Sequence, residues 1–314
     1  MRVQAKICDR IARLLARLCA SLVLIVCTGL SACGLSAEQR SATITFGRAL
    51  DDHGQLLAEE STYIRSEVKA MRVLTMSLPN SQSASLFSQG AYDNLAAGVE
   101  VPKIERLVQI GGAASKFGKS VAQVADLTSS TASEKELSAA TRQLALTAGA
   151  ISEAAGGSSM GGSAAVNLVT FISLEEYRKR YLRRALPDAE PAVRKAQEDV
   201  AGAFDPGSPD SLLGIFSAAT DQLSAMLESS ESAADRRPLS AGDRDLVANG
   251  YRVVARNRDH IKYVTSRELE LINKAGTAYD ALMSAFQGDE TQLDAVNSYS
   301  TVVFELRLAF QSLK

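Results

Sequence analysis

The chain contains no tryptophan and few aromatic side chains, which make up 5% of its 314 residues. Without bulky rings, a core must be held by many thin contacts between helices. Strings of β-branched residues that alternate with polar ones are also scarce, whereas alanine, serine, leucine and glutamate are abundant. The composition therefore predicts an all-α fold, and the spacing of apolar residues predicts an elongated antiparallel bundle of long, coiled-coil-like helices.

Cysteine is missing from almost the whole chain. The four cysteines, Cys8, Cys19, Cys27 and Cys33, all lie within the first 33 residues. The remainder of the chain can therefore form no intrachain disulfide, and it has no thiol nucleophile and no cysteine-rich metal site.

The chain also has no excess of basic residues over acidic ones. The chain carries a formal net charge of −2 at neutral pH. Its first 32 residues hold five basic side chains and one acidic one, so the rest of the chain has a net charge of about −6. This balance is the opposite of the basic surface that a nucleic-acid-binding domain presents, and no nucleic-acid partner is expected.

The amino terminus has the layout of a secretory signal peptide. Five basic residues and one acid precede an apolar run, Leu18 to Leu30. This run has thirteen residues, fewer than the roughly 20 that cross a bilayer as a permanent helix. Residues 1–32 therefore read as an n-region and an h-region that are removed from the mature protein.

The residues that follow resemble the lipobox of bacterial lipoproteins, in the order Leu30, Ser31, Ala32 and Cys33. The resemblance implies cleavage before Cys33, a diacylglycerol on its thiol and an N-acyl chain such as palmitate on its new amino group. No other cofactor is expected. The resemblance also implies that Gly34, where an aspartate favours inner-membrane retention, sends the protein to the periplasmic face of the outer membrane in a Gram-negative host. A lipidated tether is predicted over 33–40 and a helical bundle over 41–314.

Apolar periodicity and capping residues predict where the helices lie. The expected helices are 41–78, 102–130, 133–156, a basic helix from 173 that ends at Pro187, a short one over 191–204, one that starts at Pro209 after Ser208, an unbroken one over 240–287 and a last one over 289–313. Residues 228–239 are expected to be a polar linker, and Gly288 to end its helix. Gly111 and Gly112 predict either a kink or the close approach of another backbone.

Only two histidines are present, and each follows an aspartate inside a predicted helix. His53 follows Asp51 and Asp52, and His260 follows Asp259. Packed helices would be able to bring both imidazoles together as an acid and imidazole metal site. Neighbours in sequence face apart on a helix, however, and His53 falls in step with Leu50 and Leu57. These facts favour a polar layer that fixes helix register, and no metal site is assigned.

Residues 143–174 are unusual because Glu153 is their single charged residue. They include a loop or hairpin tip, 156–172, that is rich in glycine and serine, and they end in an apolar run that contains Val169 and Phe171. In composition this segment resembles the membrane-entering hairpin of helical pore-forming toxins, and the resemblance implies membrane contact at Val169 and Phe171. The alternative is a flexible loop between two buried helices.

One basic cluster follows, with Arg178, Arg180, Arg183 and Arg184 on the helix that begins near residue 173. As an amphipathic helix, it would lie on anionic lipid or lipopolysaccharide. Alternatively, Glu175 and Glu176 would pair with Lys179 and Arg180 one turn further on, which would make the cluster a solvated face.

No combination of nucleophile, base and acid is legible in the sequence, so an enzyme is not expected. The chain is predicted to be a lipid-anchored, non-catalytic scaffold or interaction module of the cell envelope, which binds the membrane through its lipid and pairs with another envelope protein or with itself. The second hypothesis is a membrane-active bundle that inserts the 143–174 hairpin into a bilayer.

Overall fold

The computed structural model describes residues 34–78, 101–127, 134–154, 156, 174–234 and 238–313. Within these ranges the chain is helical apart from turns and contains no strand, so the predicted all-α fold is confirmed. The α-helices are α1 (Ala37–Ser77), α2 (Val101–Asp126), α3 (Glu134–Ala154), α4 (Leu174–Ala203), α5 (Leu212–Ala234), α6 (Ala241–Tyr263), α7 (Glu268–Gln287) and α8 (Asp294–Leu313), and a 3-10 turn, Thr265–Arg267, joins α6 to α7.

Helix α1 is the central element of the bundle. Its 41 residues would extend about 60 Å at about 1.5 Å per residue. A capping box starts it: the Ser36 hydroxyl accepts from the amide of Gln39, and the Gln39 side chain accepts from the amide of Ser36. The predicted tether over 33–40 is therefore too long, because residues from 37 onward are helical and Leu35 already packs against the core.

The first half of α1 packs against α2 at very short range, and glycines make this possible. A Cβ atom built on Gly54 would lie 2.4 Å from the carbonyl oxygen of Gly111, and one built on Gly118 would lie 2.4 Å from that of Gly47. Of the two alternatives for Gly111 and Gly112, the structure therefore selects close approach for Gly111. Gly112 faces open space, and the helix continues through both glycines.

Helices α6 and α7 run antiparallel to α1, one after the other, and α8 runs parallel to it. Going along α1, Gln39 contacts Ala285, Glu60 contacts His260 and Glu67 contacts Arg256, so the partner numbers fall as those of α1 rise. On α8, Tyr299 contacts His53 and Phe310 contacts Tyr63, so the numbers rise together. The amino-terminal half of α1 therefore lies beside α7 and its carboxyl-terminal half beside α6.

The prediction of one unbroken helix over 240–287 is wrong. The chain leaves α-helical geometry at Val264, whose φ is −121° and ψ is −73°, and resumes at Glu268 after the 3-10 turn. No proline or glycine marks the break. The β-branched residues Val264 and Thr265 lower helix propensity only slightly, and both are buried, so tertiary packing decides the break.

The prediction that Pro187 ends a helix and Pro191 starts another is also wrong. Helix α4 continues through both prolines. Both proline rings face solvent, so the carbonyl groups that lose their helical partners lie on the wet side of the helix. The opposite face is buried, and the Tyr279 hydroxyl donates to the carbonyl of Leu186, so packing against α7 offsets the lost hydrogen bonds.

Three smaller boundaries also differ from those expected. Helix α5 starts at Leu212, because the Ser211 hydroxyl accepts from the amide of Gly214, and Ser208 and Pro209 form the preceding turn. It continues to Ala234, so most of the expected linker at 228–239 is helical. Helix α8 starts only at Asp294, after a turn in which the Asp289 carboxylate accepts from Thr291. Gly288 ends α7 with a φ of +111°, as predicted.

Candidate functional site

Four ionisable side chains lie together in the core near the junction of α6 and α7. We call them the buried quartet: His53 and Glu60 on α1, His260 on α6 and Glu268 on α7. Glu60, His260 and Glu268 are 0% exposed and His53 is 7% exposed. Glutamate and histidine are rarely buried this completely without a partner, so the cluster requires a physical explanation.

The sequence places these four residues on one side of their helices. His53 and Glu60 are seven residues apart, which is close to two full helical turns, so both point from α1 in the same direction. His260 is in the last turn of α6 and Glu268 is in the first turn of α7. The break at Val264 lets both side chains face α1, His260 opposite Glu60 and Glu268 opposite His53.

The four groups form two histidine and glutamate pairs. His53 Nε2 lies 3.4 Å from Glu268 Oε2, and His260 Nε2 lies 3.8 Å from Glu60 Oε1. Neither pair meets hydrogen-bond geometry. The two carboxyl groups also interact, because the negative charge of Glu268 raises the pKa of Glu60.

Aromatic side chains enclose the quartet. The Tyr299 hydroxyl is 2.9 Å from His53 Nδ1, which leaves Nε2 to face Glu268. The His260 ring stacks on Tyr63 with centroids 4.4 Å apart and meets Phe216 and Phe310 edge-on. Aromatic packing therefore helps to hold the two histidines of the quartet in position.

Burial shifts the pKa values of His53, Glu60 and Glu268. It lowers the pKa of His53 to about 4, an effect that the charge of Glu60 opposes. It raises the pKa of Glu60 to about 7, with the charge of Glu268 as the next cause, and it raises the pKa of Glu268 to about 7 as well. Burial and the charges of Glu268 and Asp52 raise the pKa of Tyr299, so its hydroxyl stays neutral.

This arrangement can exchange protons or hold a cation, and the burial of its members keeps them from direct contact with bulk solvent. A cavity of about 60 Å³ beside His53 is lined mainly by aliphatic side chains such as Leu57, Ile110 and Ile272, which do not suit a polar metabolite. As the side chains stand, no three histidine, cysteine, aspartate or glutamate groups of the described residues are arranged around a point where one metal ion would sit.

The structure brings the two predicted histidines into the same part of the core, whereas the aspartates that precede them face elsewhere: Asp259 is exposed, and Asp51 and Asp52 have other partners. Asp52 pairs with Arg307, and Asp51 accepts from Ser115 and contacts Lys119. The partners of the histidines are glutamates instead. A signal for both was present: Glu60 lies between Leu57 and Ile64 on the apolar stripe, and Glu268 lies between Val264 and Ile272, so each is a charge in a core position.

The basic helix α4 differs from the predicted membrane surface at one position. Arg178 is fully buried and pairs with Glu175, so it cannot contact lipid, and its expected place among the membrane contacts is wrong. Arg180, Arg183 and Arg184 are exposed. Arg180 pairs with Glu176 as expected, and Arg184 lies 3.8 Å from Asp188.

Several predicted positions lie outside the described residues: the signal peptide over 1–32, the lipobox Leu30, Ser31 and Ala32, the lipidation site Cys33, and the hairpin residues Val169 and Phe171. Helix α3, which covers 143–154 of the proposed hairpin, packs with Leu144 and Ile151 in the core. Among the helices of the described ranges, none combines the length and apolarity that a membrane crossing requires.

Comparison with known proteins assigns no family to this architecture. No protein-family model matches the chain, and searches of curated proteins and of solved structures find no match either.

Proposed function

We propose that the protein is a lipid-anchored, non-catalytic helical bundle of the bacterial cell envelope, and that it acts there as a scaffold or interaction module. The leader and lipobox motivate the anchor. The observation that carries the proposal is the start of α1: its capping residue, Ser36, follows Cys33 by only three positions, and α1 is the central helix of the bundle. A lipid on Cys33 would thus tether the bundle at the end of its longest helix.

The surroundings of that end support the same reading. A Cβ atom built on Gly34 would lie 3.3 Å from the Glu175 side chain, so the start of α1 adjoins the start of α4. The exposed Arg180, Arg183 and Arg184 follow on α4. A membrane held at Cys33 would lie close to these guanidinium groups, which suit anionic headgroups at about 1 kcal/mol per charge near a surface.

A second surface supports the interaction role. Phe304 and Leu308 lie one turn apart on α8 and are 63% and 50% exposed. Large apolar side chains that share one face of a helix are typical of surfaces that bind another protein. An envelope partner or a second copy of the chain would cover them.

The anchor is tested by intact mass and membrane fractionation of the protein from its own envelope. We expect a mature mass that begins at Cys33 and includes acyl chains, and we expect Cys33→Ala to remain unprocessed. Cys27→Ala is the matched control, since it removes a leader cysteine outside the lipobox and should be processed normally. An unlipidated mature mass, or normal processing of Cys33→Ala, would contradict the proposal.

The pore-forming hypothesis is not advanced further. Its key residues, Val169 and Phe171, lie outside the described ranges, and no geometry in those ranges favours it.

A further inference from the structure

The buried quartet has more unpaired polar atoms than a closed protein core normally tolerates. Seven of its eight side-chain nitrogen and oxygen atoms have no hydrogen-bond partner, and the exception is His53 Nδ1, which contacts Tyr299. Most buried polar groups in native proteins are paired, and each exception calls for a ligand, an ion or a functional role. Four such side chains in contact with one another indicate a common cause.

The charge of the quartet limits which kind of ligand would satisfy its unpaired atoms. Glu60 and Glu268 interact with each other, and among the described residues no lysine or arginine contributes to the charge around either carboxyl group. Burial lowers the pKa of His53, so its imidazole is a neutral ligand. A divalent cation balances two carboxylates, so the ion and its four ligands would have no net charge. Buried charges are tolerated when they are paired or bound to metal.

The distances within each pair are those of neighbouring ligands on one ion. Two ligand atoms about 2.1 Å from a tetrahedral metal are separated by about 3.4 Å, and wider angles increase that separation to about 4 Å. His53 Nε2 and Glu268 Oε2 are 3.4 Å apart, and His260 Nε2 and Glu60 Oε1 are 3.8 Å apart. Each pair is therefore spaced to occupy one edge of a coordination sphere.

Tyr299 supplies the outer contact that a metal-bound histidine requires. A histidine that ligates through Nε2 normally donates its Nδ1 hydrogen to an oxygen, which fixes the tautomer. The Tyr299 hydroxyl lies 2.9 Å from Nδ1 of His53, and its neighbour Phe46 keeps the tyrosine ring in the core. In the tautomer in which Nδ1 donates to Tyr299, Nε2 carries no hydrogen and its lone pair faces the Glu268 carboxyl group.

We propose that the buried quartet binds one divalent transition-metal ion through His53, Glu60, His260 and Glu268. Two nitrogen and two oxygen ligands suit Zn²⁺, Fe²⁺, Mn²⁺ or Co²⁺, whereas Ca²⁺ and Mg²⁺ prefer oxygen alone. Because no three of these groups now surround one point, binding requires the two pairs to converge by side-chain rotation. The 3-10 turn, Thr265–Arg267, lies between His260 and Glu268 in the chain.

The test uses Co²⁺ and Zn²⁺ as probes on the full protein purified in detergent and stripped with a chelator. We expect one Co²⁺ per chain after gel filtration, visible d–d absorption typical of nitrogen and oxygen ligands, displacement of that signal by Zn²⁺, and a higher melting temperature with either metal. Glu60→Gln and Glu268→Gln should lose the absorption and the stoichiometric ion. Tyr299→Phe should retain the site with about 10- to 100-fold weaker affinity.

The glutamine variants separate binding from folding. They remove a buried negative charge and preserve side-chain volume, so they should fold at least as well as the natural protein, which circular dichroism in the presence of chelator will check. Glu270→Gln is the matched control, because Glu270 is exposed on the same helix and should leave metal binding unchanged. The proposal is overturned if the natural protein retains neither metal, or if both glutamine variants retain the ion and its absorption.

Discussion

Replacing Glu60 with glutamine should make the protein more stable, and by an amount that depends on pH. Burial and the neighbouring Glu268 raise the pKa of Glu60 from 4.5 to about 7 in the folded protein. A folded pKa above the unfolded one means that the folded state holds the proton more tightly. The associated stability is therefore fully present below pH 4.5 and is lost as the pH rises through 7.

The magnitude follows from the same values. Each tenfold change in proton affinity corresponds to about 1.4 kcal/mol. Raising the pKa from 4.5 to about 7 means that the ionised Glu60 lowers the free energy of unfolding by about 3 kcal/mol at pH 8. Glutamine has the same shape and no charge, so Glu60→Gln should match the natural protein near pH 4.5 and exceed it by about 3 kcal/mol at pH 8.

His53 contributes an opposite pH dependence that this comparison removes. Its pKa is lowered from 6.5 to about 4, so the stability gained by burying the neutral ring is present above pH 6.5 and is lost as the pH falls toward 4. Natural protein and variant share this loss, apart from the influence of the Glu60 charge, which raises the pKa of His53. The difference between their unfolding free energies therefore reports the Glu60 carboxyl group together with its interaction with Glu268.

The assay is urea unfolding followed by circular dichroism at several pH values from 4.5 to 8, with chelator present. Glu270→Gln should differ from the natural protein by less than about 1 kcal/mol throughout this range, because it disrupts only exposed ion pairs with Arg267 and Lys274. The reasoning is refuted if Glu60→Gln is less stable than the natural protein at pH 8. That result would mean that the contact with His260 stabilises the ionised carboxylate by more than burial costs.

Two further predictions use glycines. Gly54→Ala should lower the free energy of unfolding by about 3 kcal/mol, because its Cβ would lie 2.4 Å from the Gly111 carbonyl oxygen and would force α1 and α2 apart. Gly112→Ala should instead raise the free energy of unfolding by about 1 kcal/mol through helix propensity, because its Cβ meets nothing within 4 Å. Chemical denaturation that ranks the two variants the other way would contradict the close-packed interface. A Cβ atom at Gly288 would also meet nothing within 4 Å, but the backbone φ there is +111°. Gly288→Ala should therefore lower the free energy of unfolding by about 1 kcal/mol in the same assay. An unchanged stability would show that α7 does not need a left-handed residue at its end.

Local sequence predicts much of this fold because helices depend on contacts three and four residues apart. The apolar stripe of α1 predicts its buried face, including Phe46, Leu50, Leu57 and Ile64, and Gly288 predicts the end of α7. Where local signals conflicted with packing, the prediction was wrong. Pro187 and Pro191 read as helix boundaries, yet α4 continues through them because both face water and the other side of the helix is buried.

The break between α6 and α7 shows the reverse error. Apolar residues keep a helical spacing across Val264, and nothing in the sequence interrupts it. The break is associated with tertiary packing, because Val264 and Thr265 are buried, α6 lies against the second half of α1 and α7 lies against its first half. Periodicity records which face is buried and carries no information about the shape of the partner surface.

The candidate site was likewise predictable from the sequence in part. The all-α class, the core-facing position of His53 and the charges at Glu60 and Glu268 within apolar stripes can be read from the amino-acid sequence, because each follows from the period of one helix. The contacts of Glu60 with His260 and of His53 with Glu268, two hundred or more residues apart in the chain, become visible only in the folded structure. Such pairing depends on how helices pack side by side, and the physical chemistry of a single helix does not specify its neighbours.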